Sequence, residues 1–224
     1  MSIAYSVIIN KGFVQIPAFL SKCINFVLYF VDYFTMVILY LHGMASSHES
    51  FTAACVQKYM PEATVLVPDL SVDPEIAFPQ IQKILDENKV DIIVGHSLGG
   101  FMAQKFRGYK KILLNPSLGV TYFRFFKGDN KYKHNRYDGK QTWHIDDRIC
   151  KRYKEMEHVQ YDGLTKEEDD LTLGMFGRLD FMTRMSSCWF LKHYSHRVMI
   201  PGGHFLKEET VRDYLVPGIK SMFK

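Results

Sequence analysis

The stretch VDIIVGHSLGGFMAQKF, Val90 to Phe106, restricts the chain to few architectures. It opens with an apolar, β-branched run, breaks at Gly95, shows one serine, breaks again at Gly99 and then turns amphipathic. That pattern reads as a buried strand passing through a tight turn straight into a helix. Backbone packs on backbone in such a turn, so a side chain at position 95 or 99 would collide and glycine is a steric need. Ser97 is left on a strained backbone, with the first N–H groups of a helix and the positive end of its dipole directly after it.

The rest of the chain supplies a sheet around this turn. Val37–Leu41, Ala63–Leu70, Val90–Gly95, Lys110–Pro116, Leu171–Gly177 and His196–Gly202 each fit a strand buried on both faces. Between them, Ser50–Met60, Pro74–Asn88, Gly99–Arg107 and Phe181–His193 carry apolar residues at helical spacing, with Ile76, Ile81, Ile84 and Leu85 on one stripe. Thr210–Phe223 reads as a closing helix interrupted by Pro217 and Gly218. Short strands alternating with longer helices, joined by right-handed crossovers, predict an α/β fold: a mostly parallel sheet of about six strands with helices on both faces. Residues 117–170 are too long for a plain connection and start at the C-terminal end of a strand, so a cap-like insert is expected there. The alternative is a surface excursion with two ordinary helices.

A serine hydroxyl is a weak nucleophile at neutral pH and needs a histidine base oriented by a carboxylate. In HRVMIPGGHFL a strand runs into Pro-Gly-Gly and presents His204, and in LTLGMFGRLDFMT another presents Asp180. Both belong at the C-terminal end of the sheet, whereas Asp169 and Asp170 precede their strand and belong at the opposite end. The order Ser97, Asp180, His204 is that of hydrolases built on a nucleophile elbow. In YLHGMASSHES, His42-Gly43 turns the chain sharply, so that the N–H of Met44 joins that of Leu98 at a developing oxyanion, with His42 itself structural. Phe181 and Phe205, with Tyr122 and Phe125 of the insert, either line a substrate pocket or pack plainly.

Other chemistries find little support. The net charge is only +4, without a basic stripe interleaved with aromatics, so nucleic acid is not an expected partner. Cys23, Cys55, Cys150 and Cys188 are scattered, which fits a reducing cytoplasm and neither a zinc site nor a disulfide framework. His193 and His196 have no carboxylate at a familiar ligand spacing, and no metal or organic cofactor is expected.

Residues 1–35 form an apolar extension to a domain spanning 36–224. Within it, CINFVLYFVDYFTMVILYL (Cys23–Leu41) is almost long enough for a bilayer. Asp32 near its middle costs about 2.5–3.5 kcal/mol on insertion, against about 0.3–0.6 returned by each large apolar residue, so spanning is marginal. Three readings stand: a segment upstream of a true start at Met36, an apolar helix docked on the domain, or a weak membrane anchor.

The runs ILYLHGMASSHES, GHSLGGFMA and LLNPS, with the C-terminal GGH, resemble the small YqiA-like esterases of the α/β-hydrolase superfamily. The resemblance spans roughly Val37 to Phe223 and leaves residues 1–35 without a counterpart. It implies Ser97 as nucleophile, Asp180 as acid and His204 as base, acting without a cofactor on a small-molecule carboxylic ester of short acyl chain. An acyl-CoA thioesterase or acyltransferase would use the same triad. A non-catalytic binding protein of this fold would usually have lost one of the three.

Overall fold

The computed structural model describes residues 5–9, 12–16 and 35–223, and the chain divides into two compact units, 1–36 and 37–224. In the first, β1 (Tyr5–Ile9) and β2 (Gly12–Ile16) pair as an antiparallel hairpin. The docked-helix and membrane-anchor readings rest on residues 17–34, which lie outside the described residues. No helix among the described residues is long and apolar enough to cross a membrane.

The second unit carries β3 (Val37–Leu41), β4 (Thr64–Leu66), β5 (Ile92–His96), β6 (Lys110–Leu114), β9 (Thr172–Gly177) and β10 (Arg197–Ile200). These six pair in parallel in the order β10-β9-β6-β5-β3-β4. Helices α1 (Phe51–Tyr59), α2 (Pro74–Glu87), α3 (Leu98–Ala103) and α6 (Arg184–Phe190) make crossovers between them. The chain leaves β3 for β4 on one side and returns to β5 on the other, so a switch point opens beyond their C-terminal ends, where open sheets bind ligands. Leu41 pairs with Gly95, His96 with Leu114 and Ile200 with Gly177, which gathers the loops after the central strands along one edge.

Two expectations are corrected at the sheet's margins. β4 and β10 are edge strands with half-exposed faces, not strands buried on both sides, and Val198 of β10 is open to solvent. β4 also stops at Leu66, well short of Leu70, because Pro68 has no N–H for a ladder and the Asp69 carboxylate turns to accept the N–H of His48. Helix α2 buries Pro74, Ala77, Ile81 and Leu85, and Ile76 lies off that stripe and faces water. Helix α6 begins three residues later than expected because Asp180 Oδ1 captures the N–H groups of Met182 and Thr183 in a local turn. The C-terminal run from Glu208 to Ser221 is not interrupted at Pro217: the preceding turn, Val211–Leu215, is π-helical, and Pro217 opens the final α-helical segment, Val216–Ser221, where its missing N–H costs least.

The insert holds a 3-10 turn (Thr121–Phe126), the hairpin β7 (Gly128–Lys131) and β8 (Thr142–Ile145), and helices α4 (Asp147–His158) and α5 (Lys166–Asp170). Phe123 stacks on Tyr153 with ring centroids 4.3 Å apart, and both join the same buried cluster as Leu39, Ile93 and Leu113 of the sheet. Arg136 ties the hairpin loop to the domain, donating to the carbonyls of Ser46 (3.5 Å), Leu70 (3.2 Å) and Asp69 (3.0 Å). Tyr137 stacks on His48 at 3.5 Å beside it.

The elbow is as tight as its glycines require. A Cβ on Gly99 would stand 2.0 Å from the carbonyl oxygen of Leu41, and one on Gly95 would stand 2.4 Å from that of Gly99. Relief would need α3 to move off the end of β3, so Gly99→Ala is expected to cost about 3 kcal/mol, the upper end for overpacking. The check is the urea midpoint, which should fall at unchanged m-value; an unchanged midpoint would mean that the elbow relaxes freely.

Candidate active site

Ser97 caps α3 at φ 55° and ψ −116°. A non-glycine residue held there carries strain of about 1–3 kcal/mol and needs surroundings that over-determine it. They do: its N–H donates to Leu114 O (3.0 Å), while its carbonyl accepts from Gly100 (3.0 Å), Phe101 (3.2 Å) and Ser117 (3.0 Å). The hydroxyl therefore stands at the switch point with little freedom to move elsewhere.

His204 follows β10 through Gly202, whose φ of 97° suits glycine. Its Nε2 lies 2.9 Å from Ser97 Oγ and its Nδ1 lies 3.0 Å from Asp180 Oδ2. All three residues are buried, at 8%, 7% and 6% exposure for Ser97, His204 and Asp180. Burial pushes the Asp180 carboxyl up, but hydrogen bonds from His204, Thr183 Oγ1 and backbone N–H groups outweigh it and hold the group below the usual carboxylate range. An ionised carboxylate only accepts, so Nδ1 of His204 carries the proton and Nε2 is free to take one from Ser97.

Several supporting residues carried no signal in the sequence that singled them out. Asn115, at φ 42°, donates from Nδ2 to the carbonyls of Gly203 and His204 (both 3.0 Å) and accepts the N–H of Gly177 on Oδ1 (2.7 Å). It thereby locks the ends of β6 and β9 to the histidine loop; an Asn at a strand end, tolerant of left-handed backbone, was the available hint. Thr183 binds the acid, and His96 donates from Nε2 to the His204 carbonyl at 2.9 Å. Ser117 Oγ lies 3.2 Å from Ser97 Oγ.

Gly43 packs against Ser97, where a Cβ would approach Ser97 Cβ to 3.2 Å. The next residues form a turn closed by Ser46 N–H to Gly43 O (3.2 Å), with Ala45 at φ 61°. Met44 and Leu98 share a narrow cleft with Leu70, Val72 and Met102 that leaves about 10 Å³, near the room of one water. Neither backbone N–H has an acceptor among the described residues. His42 is held at both nitrogens, Nδ1 donating to Gly43 O (2.8 Å) and Nε2 accepting from Leu70 N–H (3.0 Å).

Phe205, 74% exposed, stands edge-on to the His204 ring at 5.2 Å. Phe181, 77% exposed, lies beside Asp180 on a separate hollow that neither Ser97 nor His204 lines. Phe125 also faces water. At the opposite end of the sheet, Asp169 accepts from Ser195 N–H (2.6 Å) and Oγ (2.7 Å), and Asp170 is engaged by Lys166 and lies 3.4 Å from His196. His196 thus has a carboxylate nearby that its sequence spacing did not announce, although both acids already have partners.

Burial pushes the imidazoles of His42 and His96 down from an ordinary 6.5 to about 4, the neighbouring His204 adding to the effect at His96. Both rings bind a proton less readily folded than unfolded. Between pH 6.5 and 4 the unfolded chain therefore holds more protons, and stability falls as pH falls. The urea midpoint is expected to decline steadily from pH 7 to 4.5, with proton uptake on unfolding approaching two; a flat profile would contradict neutral burial of the rings.

A parallel sheet in this order, with a serine on a left-handed turn after its central strand, is the α/β-hydrolase fold. Solved structures of similar shape include a putative hydrolase from Agrobacterium vitis S4 (TM-score 0.59, 11% identity, 85% of this chain and 88% of that one). Two more are FphF, a fluorophosphonate-binding serine hydrolase of Staphylococcus aureus (0.56, 15%, 85% and 84%), and Est1E from Butyrivibrio proteoclasticus (0.52, 16%, 83% and 89%). At such identities the likeness is one of fold. Residues 37–212 match an uncharacterised protein family, UPF0227, and the chain belongs to that family, the YqiA family that its motifs resemble. No curated protein matches it significantly.

Proposed function

We propose that the protein is a serine carboxylesterase. The observation that carries this reading is the unbroken buried line from Asp180 Oδ2 through His204 to Ser97 Oγ, at 3.0 and 2.9 Å. Ser97 Oγ attacks the ester carbonyl as its proton passes to His204 Nε2, and Asp180 holds the ring and stabilises its charged form. The tetrahedral oxyanion takes the N–H groups of Met44 and Leu98, a pair whose members are typically worth about 2.7–4 kcal/mol each. As the intermediate collapses, the carbonyl re-forms, the bond to the alkoxy oxygen breaks, and His204 hands its proton to the departing alcohol. Water, deprotonated by the same ring, then attacks the acyl-enzyme and frees the acid and Ser97.

The cleft beside Met44 and Leu98 is narrow and largely apolar, which favours a short acyl group over a long one. The test is hydrolysis of p-nitrophenyl esters from acetyl to palmitoyl, with a competing acyl-CoA to separate ester from thioester preference. Turnover highest for acetyl or butyryl supports the reading. No turnover of any ester by the folded protein overturns it and turns attention to ligand binding.

A further inference from the structure

Beside this line, rather than over Ser97, lies a cavity of about 390 Å³. That is within the range of small-ligand pockets, and it opens at the C-terminal end of β9. Phe176, Leu179, Phe181 and Met199 give it an apolar lining, and Leu179 and Phe181 are largely open to solvent. Arg178 and Arg184 line it as well. Arg197 reaches it from β10 by donating from Nη1 to the hydroxyl of Ser187, another lining residue, at 3.1 Å.

These arginines differ from most of the others. Arg107, Arg136, Arg148, Arg152 and Arg212 each lie within 4.0 Å of a carboxylate. Among the described residues, Arg178, Arg184 and Arg197 have none, and of the remaining arginines only Arg124, which lies over the Phe125 ring, shares that lack. Asp180, the one carboxylate of the lining, is already engaged by His204, Thr183 and two backbone N–H groups. Unneutralised guanidinium groups around one hollow raise its potential and offer planar forks that match the oxygens of phosphate.

We propose that this cavity binds an amphiphile with a phosphate head and an apolar tail. The head sits among Arg178, Arg184 and Arg197, and the tail lies on Phe176, Leu179, Phe181 and Met199. Neither Ser97 nor His204 lines the cavity, so a ligand there leaves the Ser97 hydroxyl uncovered.

Calorimetric titration of the Ser97→Ala protein with octyl phosphate below its micellar concentration tests this. Saturable one-to-one binding is expected, at least tenfold tighter than octanol or inorganic phosphate alone. It should weaken at least tenfold in the Arg178→Gln/Arg184→Gln variant, whose melting temperature should be unchanged because both side chains are at the surface. Wild-type protein, with Ser97 free or blocked by a phosphonate, should bind equally. Equal affinity for octanol, full affinity in the double variant, retention only on anionic vesicles, or loss of binding when Ser97 is blocked would each overturn the proposal. Since the first protein lacks the nucleophile, the outcome does not depend on whether the esterase reading holds.

Discussion

Ser97→Ala is expected to lower the turnover of p-nitrophenyl acetate or butyrate on the order of 10⁶-fold, and His204→Ala by a similar factor. The two act as a unit at 2.9 Å, so removing both should cost little more than removing either. Asp180→Asn keeps the shape but lets the imidazole take the wrong tautomer, and a drop of about 10⁴ is expected. Whatever survives would come from binding and from the N–H groups of Met44 and Leu98. The alanine side chain also fits the elbow, where Ser97 already holds its φ of 55°, so folding should be spared. Activity within tenfold of wild type in Ser97→Ala would place the chemistry at some other group.

Glu168→Ala should produce the largest loss of stability, about 3–5 kcal/mol. Lys111, at the start of β6, is fully buried, and its Nζ donates to Glu168 Oε2 (2.7 Å) and to Phe106 O (2.6 Å). Glu168, on α5, also accepts the Gly108 N–H. Burial pushes the ammonium down and the Glu168 hydrogen bond pushes it back up, so the charge depends on its partner. Removing the carboxylate strands a buried cation, whereas Lys111→Met with Glu168→Leu should recover much of the loss, because both charges leave together. Urea unfolding of the two variants beside the parent protein decides. A Glu168→Ala cost below about 1 kcal/mol would mean that water reaches the pair, as it does for exposed bridges.

The central sheet was legible because β3, β5, β6 and β9 each contain a short apolar run with no competing local signal. Ser97, Asp180 and His204 could be picked out as candidates because each follows a strand, β5, β9 or β10, through a turn. What escaped depends on partners distant in sequence. Edge position decides how much of β4 and β10 is covered, and strand order is not written in either strand. Asn115 and Ser117 act on groups that only the folded sheet brings near. The hairpin of the insert has ordinary polar strands whose pairing is fixed by Trp143 and Ile145 reaching the core.

The Arg136 clamp spans 90 residues to Ser46 and 66 to Leu70. Contacts so far apart along the chain must overcome loop-closure entropy before they return anything, and they slow the search for the native state. The turn bearing Met44 is braced from the insert, yet it is synthesised long before the insert exists. A nascent chain therefore carries its elbow serine through much of translation without the frame around it, and the line from Asp180 to Ser97 is complete only once His204 arrives.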